Sequence, residues 1–111
     1  MDLLAEYKEM SALPNHIAVT YKFFSMFKID GDTMTWAGHE TDISTDTNTK
    51  DALKAFLKAQ RSALREGGLS ASECSKRMWF WFQKLLELDL FEGDGRQEIL
   101  KWMEVCELIV C

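Results

Sequence analysis

Five large apolar side chains stand in a row at Met78-Trp79-Phe80-Trp81-Phe82. On a helix, five successive residues point around more than a full turn, so an ordinary amphipathic helix cannot turn all of them inward. The segment carrying them must therefore lie in the middle of a fold, covered on most sides, or else keep some ring for a contact with another molecule. The flanking residues support a helix here. Cys74, Met78, Trp81, Leu85 and Leu88 fall on one side, with Phe82 and Leu86 beside them.

Punctuation on either side defines two more helices. Gly67-Gly68 is a stop signal, and Ser70 with Glu73 three residues later has the spacing of a capping box that opens the aromatic helix. Upstream, the Thr/Asp/Asn cluster within 37–49 offers several N-caps for a helix of about five turns ending near Glu66, with Leu53, Phe56, Leu57 and Leu64 as its core face. Downstream, Gly93-Asp94-Gly95 breaks the chain, and Asp94 and Gln97 repeat the capping-box spacing. A last helix then places Ile99, Met103, Cys106 and Val110 at intervals of 4, 3 and 4.

The first 45 residues differ in pattern. Residues 2–11 predict a short helix ended at Leu13-Pro14-Asn15. From His16 onward, Ile17, Val19, Tyr21, Phe23, Phe27 and Ile29 are apolar and odd-numbered, which predicts a strand. Asp30-Gly31 suits a type I′ turn, and Thr33-Met34-Thr35-Trp36 restores the alternation, giving a hairpin with Phe27 opposite Met34 and Ser25 opposite Trp36. A helix over 16–28 is the competing reading, because Tyr21, Phe24 and Phe27 or Lys28 also recur at helical spacing. The expected architecture is α+β: an N-terminal β-hairpin packed on a C-terminal three-helix unit, with a short N-terminal helix. It forms one domain over 1–111, divided near residue 45.

With 111 residues, 47% of them hydrophobic and a single Pro, the chain can build a core and has no linker or repeat signature. No apolar run approaches the ~18 residues of a membrane span, and MDLLAEYKEM lacks the regions of a signal peptide, so a cytoplasmic location is expected. Cys74, Cys106 and Cys111 cannot all pair within one chain and show no CxxC spacing, which predicts reduced, buried thiols. The net charge of -5 comes mostly from residues 1–50, with eight acids against four bases, so any affinity for polyanions must come from a local basic patch.

Such a patch is visible. Lys50, Lys54, Lys58, Arg61 and Arg65 are spaced 4, 4, 3 and 4, a row of cations roughly 20 Å long on one helix. It is either a solvated face or a docking surface for an anionic partner. The acidic group Glu87, Asp89, Glu92, Asp94 and Glu98 lacks the ligand spacing of a calcium loop, and Asp30-Gly31-Asp32 fails the same test. His16 and His39 have neither ligand-pair spacing nor a nucleophile beside them, and no phosphate loop, dinucleotide fingerprint or GxSxG is present. No cofactor, metal or catalytic residue is therefore expected.

Two resemblances bear on function. Gln60, Gly68, Leu69, Ser70, Cys74 and Ser75 are spaced in a way that resembles the helix-turn-helix signature of DNA-binding regulators, over about 20 residues. Leu64 stands where that family has a small residue, and Cys74 where it has a branched aliphatic. The resemblance implies that Ser70, Ala71, Ser72, Glu73, Lys76 and Arg77 face a major groove, with Lys76 and Arg77 reaching phosphate or guanine. Tyr7-Lys8-Glu9, Phe23-Phe24, Ala52-Leu53 and Gly95-Arg96 with Ile99-Leu100 resemble hepadnavirus-type core subunits, from which residues 16–36 and the lack of a Pro-rich tract depart. That resemblance serves only as the ground for a self-assembling alternative.

The leading expectation is a small non-enzymatic protein-binding module, such as a phage or viral inhibitor of a host factor or an immunity-type antidote. It would dock through Lys54, Lys58, Arg61, Arg65, Trp79 and Phe80. The alternatives are a DNA-binding regulator using residues 58–80, with Ser70, Ser72, Lys76 and Arg77 at the nucleic acid, and a self-assembling, capsid-like structural subunit.

Overall fold

The computed structural model describes residues 3–9, 15–44 and 47–110. It is α+β: α1 (Leu3–Glu9), α2 (His16–Ser25), a three-stranded antiparallel sheet of β1 (Lys28–Asp30), β2 (Thr33–Trp36) and β3 (His39–Asp42), then α3 (Thr47–Glu66), α4 (Ala71–Glu87) and α5 (Gly93–Val110). The expected stop at Leu13-Pro14 and part of the expected N-cap cluster, at residues 45 and 46, lie outside the described residues, as does Cys111.

Residues 16–25 are a helix, which corrects the preferred strand reading. The alternation was ambiguous because steps of four residues preserve parity: Val19, Phe23 and Phe27 are odd-numbered on a helix face as well as on a strand. The tie is broken by Thr20 and Phe24, even-numbered and fully buried, which with Val19 and Phe23 form one helical stripe. The hydroxyls within the helix are satisfied locally. Thr20 Oγ1 donates to the His16 carbonyl at 2.7 Å and Ser25 Oγ to the Tyr21 carbonyl at 2.9 Å.

The hairpin is present but shifted. Its turn is Gly31-Asp32, with Gly31 at φ 60 and Asp32 at negative φ, the signs of a type II′ turn and not of the expected type I′ at Asp30-Gly31. In consequence Ile29 pairs with Met34 and Lys28 with Thr35, in place of Phe27 with Met34 and Ser25 with Trp36. Met34 and Trp36 still point to the core, while Thr33 and Thr35 point away from it.

A second turn at Ala37-Gly38 adds β3, in a segment for which the sequence suggested only N-caps of the next helix. Both turn residues have positive φ, 51 and 81, as a type I′ hairpin requires. Ala37 is a poor occupant of the left-handed region, where a Cβ costs about 1 kcal/mol. Ala37→Gly should therefore raise stability by up to about 1 kcal/mol, read as a higher urea midpoint at constant m.

The helical half follows the punctuation. Gly67 and Gly68 hold φ of 76 and 80 at the end of α3, a conformation open to glycine without strain. The capping box is complete: the Glu73 backbone N–H donates to Ser70 Oγ and the Ser70 N–H to Glu73 Oε1, both at 3.1 Å. The box expected at Asp94 and Gln97 does not form, because α5 already starts at Gly93 and Asp94 lies inside its first turn. There the carboxylate still complements the helix dipole.

Packing brings the two halves onto one core. Phe23 of α2 lies 4.9–6.3 Å, centroid to centroid, from Phe24, Phe27, Trp36, Phe82 and Trp102, joining α2, β2, α4 and α5. Of the five-residue run, Met78, Trp81 and Phe82 are fully buried, Trp79 is half-buried, and Phe80 is 59% exposed. The core thus accepts three of the five. Tyr7 anchors α1 in this core, with its hydroxyl hydrogen-bonded to that of the buried Ser75 and its ring 5.6 Å from that of Trp102. Burial pushes the Tyr7 phenol far above its ordinary range, against the hydrogen bond from Ser75.

Candidate functional site

The five-cation row does not remain a uniform charged face. Lys50 Nζ is paired with Asp32 Oδ1 at 2.7 Å, at the tip of the hairpin. Arg61 Nη2 donates to the carbonyls of Phe24 and Phe27, at 3.1 and 3.2 Å, and so caps the C-terminal end of α2. Arg65 donates to Tyr21 Oη at 2.7 and 3.2 Å and lies 5.5 Å over the Tyr21 ring. Lys54 and Lys58 stand exposed.

Lys54 and Arg61 face a groove that runs between α3 and β1. The groove, about 360 Å3 in volume, is lined by Phe27, Lys28, Ile29, Lys54, Leu57 and Arg61. Its walls carry three cations, and no carboxylate is among its described lining residues, in a chain of net charge -5. Like charges gathered along a cleft, with the low-dielectric core behind them, focus their potential into it. Lys28 was absent from the sequence-derived site. The two short turns at Gly31-Asp32 and Ala37-Gly38 were the available signal, since together they make residues 28–30 the outer strand beside α3.

The aromatic candidates lie elsewhere, on α4. Trp79 Nε1 donates to Glu107 Oε1 at 3.3 Å, which tethers it to α5, and its ring meets that of Phe80 edge-on at 5.5 Å. Phe80 is thus the exposed member of the pair. A second cleft of about 360 Å3 separates α3 from α4, where Phe56 stacks on Trp81 at 5.0 Å and Lys84 forms one edge. This cleft and the cationic groove are lined by different residues.

The residues singled out for DNA are largely engaged inside the chain. Ser70 caps α4, Ser72 is half-buried, and Arg77 Nη1 donates to Gln60 Oε1 at 2.9 Å, while Lys76 is exposed. Leu64 is buried, and α3 packs chiefly on α2 while α4 packs chiefly on α5.

The remaining polar groups have structural roles. His16 Nε2–H donates to the Leu69 carbonyl at 2.7 Å, tying α2 to the α3–α4 junction, and His39 Nε2 meets Glu98 Oε2 at 2.9 Å. Among the described residues no group of three or more His, Cys, Asp or Glu is placed to hold a metal ion. None of the described helices is long and apolar enough to cross a membrane.

Cys74 and Cys106 are free and buried. Burial pushes the Cys106 thiol up to about 12 and raises that of Cys74, so neither is a thiolate nucleophile near neutral pH. With Cys111 replaced by Ser, native protein at pH 8 should react with a thiol reagent at least about a hundredfold more slowly than urea-unfolded protein. A fast native reaction would show that one of these sulfurs reaches solvent.

No family model matches this chain, and neither does any curated protein or solved structure.

Proposed function

We propose that this chain is a non-catalytic protein-binding module that presents the groove between β1 and α3 to an acidic region of its partner. The observation that carries the reading is the segregation of charge: Lys28, Lys54 and Arg61 line one cleft, with no carboxylate among its described lining, in a protein that is acidic overall. Such a cleft attracts an anionic surface and speeds encounter with it, while the negative remainder of the molecule disfavours other approaches. A stoichiometric inhibitor or antidote needs nothing beyond such a surface, and that is the form of function proposed. The buried, protonated thiols suit a reducing compartment such as the cytoplasm.

Affinity capture from the source cells tests it, comparing the wild type with Lys28→Glu/Lys54→Glu at low salt. Both lysines are exposed, so the variant should melt like the wild type. A protein retained by the wild type and depleted about tenfold or more by the charge reversal is the expected result. Identical capture by both overturns the reading. Loss of the captured material on nuclease treatment would move the partner to nucleic acid.

A further inference from the structure

We propose that the groove takes an extended, acidic segment of the partner as a fourth strand, added to the free edge of β1. This rests on the protein-binding reading above and specifies its geometry. The sheet order β1-β2-β3 leaves two edges, and the fold treats them differently. Beyond β3, the Thr41 hydroxyl donates to the Leu90 carbonyl, His39 meets Glu98, and Gly95 comes so close that a Cβ there would lie 3.3 Å from His39 Cγ. These contacts hold one face of β3 against the α4–α5 connection and the start of α5, while the exposed Glu40 and Asp42 make that edge acidic and disfavour an acidic strand there. Beyond β1 lies the cationic groove, with α3 as its far wall.

The register places the free backbone groups. Around the two-residue turn, Asp30 pairs with Thr33 and Lys28 with Thr35, the positions that exchange hydrogen bonds with β2 in an antiparallel hairpin. Ile29, between them, then directs its N–H and C=O to the outside, toward the groove. Unpaired strand edges are templates for β-addition, in which main-chain bonds give affinity and alternate side chains give specificity.

Here the alternation has a matching chemistry. Lys28 and the exposed Asp30 lie on one face of β1 and Ile29 on the other. An added strand would set an acidic side chain opposite Lys28, with Lys28, Lys54 and Arg61 outweighing Asp30, and an apolar one on the face of Ile29. Lys54 and Arg61 add positive charge from the α3 wall, and Leu57 adds apolar contact. A three-residue strand offers few main-chain bonds, so the cations must supply much of the selection. A second copy of the chain would fit less well, since it would bring two cation-lined grooves together.

The test is an amide-shift titration of isotope-labelled protein with a blocked octapeptide of alternating Glu and Val. A second peptide, N-methylated at every Val, keeps the charges but cannot pair as a strand. The unmodified peptide should shift Ile29 most, together with Lys54, Leu57 and Arg61. N-methylation and Lys28→Glu/Lys54→Glu should each weaken binding about tenfold or more. Equal binding of the two peptides would overturn strand addition while leaving an acid-binding surface in place. No shift at Lys28–Asp30 would also overturn it; if capture still depended on Lys28 and Lys54, the partner would dock by a folded surface instead. Light scattering that gives a dimer mass, with β1 amides shifting on dilution, would reassign the edge to a second copy.

Discussion

Phe23→Ala should cost about 3–5 kcal/mol, a large share of the 5–15 kcal/mol that holds a domain of this size together. The ring is fully buried and sits within 4.9–6.3 Å of five other aromatic rings drawn from α2, its exit toward β1, β2, α4 and α5. Removing it takes away its apolar transfer energy and leaves a cavity whose walls come from four elements, so no single side chain can relax to fill the space. The edge-to-face contacts with Phe24, Phe27, Trp36 and Phe82 are lost together and place the expected cost toward the upper end of that range. Urea unfolding followed by tryptophan fluorescence should show the midpoint displaced by that amount at unchanged m. Phe80→Ala, which empties an exposed position, should change stability by no more than about 0.5 kcal/mol. A Phe23→Ala loss under about 1 kcal/mol would contradict the placement of this ring as the junction of the core.

Arg61→Ala should cost about 2–3 kcal/mol, far more than a surface cation is worth. Its guanidinium takes the two carbonyls, of Phe24 and Phe27, at the point where α2 ends and the chain turns into β1. Without it, two partly buried acceptors lose a charge-assisted partner, and the negative end of the α2 dipole loses its cation. Arg61→Lys should recover less than half of the loss, because an ammonium presents a compact point charge in place of a planar fork. Denaturant unfolding of both variants measures this. Equal stability of Arg61→Ala and wild type would show that the residue is a free docking cation after all. Because Arg61 holds α2 in place, Lys28 and Lys54 are the positions at which to test binding.

The parts of the fold that could be read from the chain are those whose cause is local. The capping box at Ser70 and Glu73, the stop at Gly67-Gly68 and the apolar stripes of α3, α4 and α5 each depend on residues within about one or two turns of each other. The segment over 16–28 resisted because its apolar residues are four apart, a spacing common to a strand and a helix. β3 was hidden for another reason: His39, Glu40, Thr41 and Asp42 present no apolar face, and its turn carries Ala37 where Asn or Asp would have signalled a type I′ hairpin. Nothing local announces a strand whose inward groups are an imidazole and a hydroxyl.

The candidate site divides in the same way. Helical spacing alone put Lys50, Lys54, Lys58, Arg61 and Arg65 on one stripe, and the run of five large residues left open whether the core would take them all or leave a ring outside. Which cation is bound to Asp32, which caps α2, which stacks on Tyr21 and which stands free was settled only when α2 and the hairpin packed against α3. The same packing made Phe80, and not Trp81, the exposed ring. Helix, cap and turn preferences are short-range free energies and are written along the chain. The assignment of a charge to a partner 18 to 44 residues away depends on distances that exist only after the core has formed.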